Sequence, residues 1–518
     1  MIPRILLRLS VWGMSLLAIF EYVRIGLKRV SYPLELDCIE GVMMDHVVRL
    51  ARGQTLYVKP TLHFISLAYM PFFAFVSSLL ARAFGPALWE PRLVAFGSSL
   101  GLAFLAAIIV SLETRRPTLA IGAAGVYCMA FGLTGSCYDV ARPDSLMLLL
   151  AFAGLATLRF TRGLPGALAA AFLLALAFFT KQHAVLFCFG ALGYLFVQDR
   201  PRVVPFMVAL LVFCAGGYFA LDIWLGEWFR FYTWSVPRGW STIDRARIEH
   251  YIGHGLFGAL GGLSIPVILA LGTTERPWKH PAGLWFWSGI AAVGTGLLAT
   301  LDAYAYRHVF TPTVVAFAIL GPIALDRLSH QLETGSSTGR GLGAAAIYAV
   351  LFVQFFPLLY PVHDQLPHPR AREAFAAFEQ KLAIIAGKGD LLMPYHGWYT
   401  WRATGHPSFQ IIAFDDIRRS KGNSLLARDP HYLDRMIDTL YAGPHRPVFV
   451  VDQPFAEMGE PWTRLERSYR LADSLGWVSE SLRPVTGNRF APMYIMVPID
   501  PPTAISPTRR RPLRPTRS

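Results

Sequence analysis

Charge is what this chain has least of. Only 16% of its 518 residues are Asp, Glu, Lys or Arg, against 54% hydrophobic. With a mean hydropathy of +0.41, a chain this long cannot cover a soluble surface, so a soluble globular protein is excluded. Cysteine is scarce as well, five in all, which excludes a disulfide framework. Cys128, Cys188 and Cys214 fall in apolar runs, where a thiol acts as a small hydrophobe. Cys38 and Cys137 fall beside polar loops, and spacing alone does not establish a bridge between them.

Several motifs are also missing. The run GRGLGAAA from Gly339 follows a polar loop and no strand, so it carries no dinucleotide fingerprint. His363, His368, His396 and His406 lack the i, i+4 spacing of a metal pair and read as ordinary surface or turn residues. Nothing calls for a cofactor, and a divalent metal is not implied. The first apolar segment has no small-residue cleavage site and reads as retained. The net charge of +14 comes partly from the tail PPTAISPTRRRPLRPTRS, residues 501 to 518, whose Pro/Arg composition reads as disordered. Attraction to anionic membrane lipids accounts for the basic balance, and no nucleic-acid partner is expected.

What the chain does have is apolar segments near span length. They fall at about 9–27, 93–112, 118–136, 145–160, 165–180, 184–198, 203–225, 250–272, 282–300, 308–325 and 342–361. Each approaches the roughly 20 residues needed to cross a core of about 30 Å. The stretch 64–84 is interrupted by Pro71 and carries Arg82, so it is expected to lie in the interface. With that choice, Arg4, Arg8, Arg115, Arg116, Arg159 and Arg162 share one face with later basic loops, which the positive-inside rule makes cytoplasmic. The expectation is a polytopic α-helical membrane protein of about 11 spans with an interfacial juxtamembrane segment, its N-terminus inside. Residues 1–362 form the membrane domain, with 28–92 as its first external loop. Residues 363–500, with apolar runs in GDLLMPYHGWY, RPVFVVDQ and APMYIMVPI, read as a small extracytoplasmic α/β domain.

The same topology gathers the polar residues on one external face of a cell membrane. The loop YPLELDCIEG supplies Glu35, Asp37 and Glu40. A carboxylate in a partly dehydrated pocket can accept a proton from a hydroxyl, so Asp37 or Glu40 is the candidate base. The plainer alternative is a helix start, where acids complement the dipole. Arg142 and Asp144 flank Pro143 at another span mouth, where guanidinium suits phosphate and an anchoring ion pair is the alternative. Lys181 and Gln182 follow FLLALAFFT, with snorkelling as the plain reading of the lysine. Arg307 and His308 close DAYAYRH, beside Tyr304 and Tyr306. The segment Trp224–Trp240 reads as an interfacial aromatic belt more readily than a sugar platform.

In sequence order, YPLELDCIEG, RLARGQTLY, YMPFFAFVSSLLARAFGPALWEPR, ARPDSL and FFTKQ resemble the GT-C membrane glycosyltransferases, in the branch of protein mannosyltransferases and aminoarabinose transferases. The resemblance covers roughly residues 1–362. It implies an enzyme that takes sugar from a polyprenyl-phosphate carrier on the external face, with juxtamembrane helices in an acidic first loop. By that resemblance Asp144 is a second acid near the site, and Arg142, Lys181 and Arg307 hold phosphate. Glu35, Tyr57, Gln182 and His308 complete the implied binding set. Where many members pair Asp with Glu, this chain has Ile39-Glu40, which leaves the base divided between Asp37 and Glu40. The implied reaction is a single inverting displacement onto a hydroxyl of a lipid, polysaccharide or protein. A transporter of lipid-linked sugars predicts charges at mid-span and related halves, whereas these charges sit at span mouths and no repeat is visible. A non-catalytic scaffold is the third reading, kept open by Ile39.

Overall fold

Each of the eleven apolar segments carries a helix in the computed structural model, which describes residues 2–240, 242–273, 277–280, 282–302, 305–333, 337–386, 390–442 and 446–499. The tail from 501 and Tyr304 lie outside the described residues. Among the described residues, six helices are long and apolar enough to cross a membrane by themselves, which makes this a multi-pass membrane protein. A seventh span is made if Arg245–Ala259 and Gly261–Thr273, which meet at 89°, are taken together. The expected count of about eleven therefore includes shorter helices, such as Pro117–Met129 of 13 residues.

The first helices show how local sequence sets these elements. α1 (Ile2–Val30) has 29 residues, enough at about 1.5 Å per residue to overshoot the bilayer core. α2 (Ile39–Ala51) starts at the acidic loop, with Glu40 in its first turn. α3 (Phe72–Phe84) begins directly after Pro71 and stops at Gly85, whose φ of 89° a side chain would resist. Its 13 residues rise only about 20 Å, short of a core of about 30 Å. Residues 64–71 before it are irregular, and α3 packs with α2.

α4 (Trp89–Thr114), α5 (Pro117–Met129), α6 (Asp144–Phe160) and α7 (Gly163–Thr180) form the first tightly packed group with α1. Pro117 opens α5, where its missing N–H is no loss. Small residues allow the close approach that holds apolar helices together in lipid. A Cβ on Gly125 of α5 would stand 2.6 Å from the Cα of Ser15 in α1.

Beyond residue 390, four strands make one sheet in the order β1-β2-β4-β3: β1 (Leu391–Leu392), β2 (Val448–Val451), β3 (Tyr469–Ser474) and β4 (Tyr494–Pro498). β1 and β2 are parallel, with Leu391 opposite Val448; β4 is antiparallel to both β2 and β3. The expected strand runs correspond to β1, β2 and β4. β3 was not expected, because after Tyr469 its residues are exposed and give no apolar run.

Alternation along β2 sends its side chains to two cores. Val450 packs with Phe375 and Phe378 of the helix Ala371–Ala386 and with Met44 and Val47 of α2. Phe449 and Val451 join a core with Ile39, Val42 and Met43 of α2 and Phe64 of the first loop. α2 is thus shared between the membrane domain and the C-terminal domain.

Candidate active site

Four buried ion pairs organise the end of the bundle that faces the sheet. They are Arg29–Asp139 at 2.8 Å, Arg92–Glu40 at 2.5 Å, Arg142–Asp37 at 2.9 Å and Lys181–Asp144 at 2.7 Å. A buried charge without a partner is costly, so each pair fixes the loops that carry it.

Arg92 shapes the acidic loop. Besides Glu40, its guanidinium donates to the carbonyls of Arg29, Tyr32 and Leu34. Glu40 accepts at both oxygens: Oε1 from Arg92 Nε at 2.8 Å and Ala141 N at 3.0 Å, Oε2 from Arg92 Nη2 and from Leu36 N at 2.7 Å. Burial alone would raise its pKa, but Arg92 outweighs burial and holds it below the usual carboxylate value. Glu40 is ionised and fully bonded, and it does not reach the cavity described next.

Asp37 does reach it. A cavity of about 760 Å³ lies between the bundle end and the C-terminal domain, with Asp37, Arg142, Lys181, Gln182 and His308 in its wall. Asp37 Oδ2 accepts from Arg142 Nε, and Oδ1 accepts from Ile39 N at 3.2 Å and Cys38 Sγ at 3.5 Å. Gly487 packs against its carboxylate, where a Cβ would stand 2.6 Å from Oδ1. Gly487 has φ of 68° and belongs to a C-terminal loop pinned by Thr486 N donating to Leu36 O at 3.0 Å.

The other candidates divide. Asp144 is outside the cavity wall but holds Lys181 Nζ there. Gln182 donates to the carbonyls of Ala68 and Thr233, tying the first loop to the segment 231–235. Tyr57 is buried away from the cavity, its hydroxyl donating to Tyr69 O at 2.7 Å. Arg307 is exposed and does not line the cavity, although His308 beside it does. Glu35 lies outside the wall as well, bonded to His396.

The far wall carries residues that the sequence did not mark as site residues. Trp234 and Trp240 of the expected aromatic belt line the cavity, with Trp234 exposed at its edge. Trp240 donates to Asp416 O at 2.8 Å and lies 4.7 Å from the Arg419 guanidinium carbon, which pairs with both Asp302 and Asp416. Burial pushes Asp416 up to about 7, with Arg419 opposing and Asp302 and Asp415 adding to the rise. The C-terminal domain contributes Tyr395, Gln453, Asn488 and Phe490 to the wall, with the Tyr395 and Phe490 rings 4.5 Å apart. His396, read from sequence as an ordinary surface or turn residue, is instead buried between two carboxylates. Cys38 and Cys137 are both buried free thiols. Among the described residues, no group of three or more His, Cys, Asp or Glu is placed to hold a metal ion.

No family model matches this chain, and no curated protein does. Solved structures do. The crystal structure of ArnT from Cupriavidus metallidurans bound to undecaprenyl phosphate is 13% identical, with a TM-score of 0.58 over 94% of this chain and 97% of that one. The apo state of the same protein is 14% identical at the same TM-score, covering 93% and 97%. The archaeal oligosaccharyltransferase AglB from Archaeoglobus fulgidus, in complex with an inhibitory peptide and a dolichol-phosphate, is 10% identical with a TM-score of 0.55, covering 86% and 70%. At such identities the likeness is one of fold alone.

Proposed function

We propose that this chain, built on the GT-C fold, is a membrane glycosyltransferase that moves a sugar from a polyprenyl-phosphate carrier to an acceptor hydroxyl at the external face. The observation that carries the reading is one cavity bringing the Asp37 carboxylate together with Arg142, Lys181 and His308 at the span mouths. The similar structures hold undecaprenyl phosphate and dolichol-phosphate, which supports a polyprenyl phosphate here.

In this reading Asp37 takes the proton of the acceptor hydroxyl, and that oxygen attacks the anomeric carbon. The bond from that carbon to the phosphate oxygen breaks, and the carrier leaves as a phosphate monoester. Arg142 and Lys181 stabilise the charge that develops on it. A single displacement inverts the anomeric centre. Glu40 serves as a fixed counter-ion that anchors the loop, and Asp144 holds Lys181 in place.

The full burial of the Asp37 side chain in its pair with Arg142 favours, together with Ile39, a non-catalytic scaffold. Transfer of labelled sugar from a polyprenyl-phosphate donor pool, in membranes with matched expression of wild type, Asp37→Asn and Glu40→Gln, decides between them. Loss of transfer with Asp37→Asn while donor still binds upholds the enzyme and its base. Equal transfer by all three refutes Asp37 as the base, and transfer by none with any donor upholds the scaffold.

A further inference from the structure

Glu35 lies two residues before Asp37, yet its carboxylate faces away from the cavity. Its Oε2 stands 2.7 Å from His396 Nδ1, and Asp452 Oδ2 stands 3.1 Å from His396 Nε2. The three side chains are 0–4% exposed. A ring nitrogen that faces a carboxylate donates to it, so a histidine between two carboxylates carries both protons and is an imidazolium. Burial pulls its pKa down, but Asp452 and Glu35 override burial and push it up to about 10.

Each member of this triad is next to something that matters. Glu35 leads into Asp37. His396 follows Tyr395, and Asp452 precedes Gln453; both neighbours line the cavity, and Gln453 Nε2 donates to the Tyr395 hydroxyl at 3.4 Å. The triad is also locked in place. The His396 ring stacks on Tyr399, whose hydroxyl accepts from Glu35 N at 3.2 Å. α2 approaches the helix Gly397–Thr404 so closely that a Cβ on Gly41 would stand 2.5 Å from Glu35 Oε1 and 2.9 Å from Gly397 N.

We propose that His396 is a positioning residue for sugar transfer: between Glu35 and Asp452, it holds the loop bearing Asp37 in register with the wall formed by Tyr395 and Gln453. The C-terminal domain is then an obligate half of the active site. This rests on the glycosyltransferase reading above. The triad touches no reacting atom, so it acts through where it places Asp37; misplacement by about 1 Å can cost roughly 10²-fold in rate.

The test uses the full chain in membranes and four proteins: wild type, Asp37→Asn, His396→Gln, and the neutral triple Glu35→Gln/His396→Gln/Asp452→Asn. Turnover and KM for transfer are read beside binding of polyprenyl phosphate, scored as stabilisation against thermal unfolding. The expected result is a drop of about 10²-fold in kcat for His396→Gln, with KM and polyprenyl-phosphate binding within about threefold of wild type. The neutral triple, which keeps a hydrogen-bonded chain, regains most of that loss. Wild-type kcat in folded His396→Gln overturns the proposal, as does a triple that folds but stays at the single variant's low rate. If His396→Gln alone fails to fold, the triple decides against wild type: kcat within about tenfold upholds the proposal, and a loss of about 10²-fold overturns it. Failure of both to fold shows that the triad serves folding and overturns it too. Transfer by none of the four, wild type included, means that the transferase reading has failed, and the positioning proposal with it. Transfer by Asp37→Asn equal to wild type removes Asp37 as the base and overturns the positioning proposal; loss in Asp37→Asn beside wild-type turnover in His396→Gln breaks the proposal alone.

Discussion

Replacing Glu40 with Gln separates an anchoring carboxylate from a catalytic one. The two oxygens of Glu40 accept four bonds, two at Oε1 and two at Oε2. A glutamine keeps one acceptor and turns an amide NH₂ toward the other two donors, whichever way it is oriented. Two buried donors lose their acceptor at about 1–3 kcal/mol each, and the Arg92 guanidinium loses its counter-charge. Removing one partner of a buried ion pair costs about 3–5 kcal/mol, which matches that sum. The expected outcome is a protein destabilised by about 4 kcal/mol in which each folded molecule still turns over at the wild-type rate. Thermal unfolding in lipid nanodiscs reads the first quantity, and label transfer normalised to folded protein reads the second. The reasoning is refuted if Glu40→Gln keeps wild-type stability, or if folded Glu40→Gln loses the 10²–10⁴-fold expected on removal of a general base.

Lys181→Met should lower turnover by about 10²–10³-fold and destabilise the fold by stranding Asp144; adding Asp144→Asn should restore stability in unfolding assays but not transfer. Gly41→Ala puts a methyl 2.5 Å from Glu35 Oε1, so overpacking of about 1–3 kcal/mol should accompany slower transfer, and full activity would argue against close docking of α2 on the C-terminal domain. Asp416 is raised from its usual value to about 7, so the native state holds its proton where the unfolded chain has lost it. Its contribution is present below about pH 4 and is lost as pH rises through 7, a change on the order of 4 kcal/mol at most. Asp416→Asn should flatten that slope in unfolding midpoints measured from pH 4 to 8, and an unchanged slope would discard the assignment.

Hydropathy alone located the helices, because each apolar run had to become one: without water, a backbone in lipid satisfies its polar groups internally. Asp37, Arg142, Lys181 and His308 were legible for a related reason. Charges at the mouths of apolar segments are expensive, so their presence marked the end where the cavity lies. The same rule could not rank them. Glu35, Asp37 and Glu40 lie within six residues, and only the partners that folding supplied set them apart: His396 for the first, Arg142 for the second, Arg92 for the third. Arg307 carried the same signal but packing left it exposed, and Tyr57, expected from the family resemblance, is turned inward.

The C-terminal wall was the least readable part. Tyr395, Gln453 and Asn488 lie far apart in sequence, on segments whose composition is ordinary, and they meet only because the sheet aligns them. His396 has no spacing signature, since its partners come from residues 35 and 452. What the sequence by itself determined is therefore a multi-pass helical membrane protein and the end of the bundle that bears charge, because hydropathy and charge cost are local properties of the chain. What only the tertiary structure decided is which carboxylate faces the cavity, and that α2 belongs to two cores at once. Those depend on partners brought from distant segments, and a buried charge takes its role from its partner.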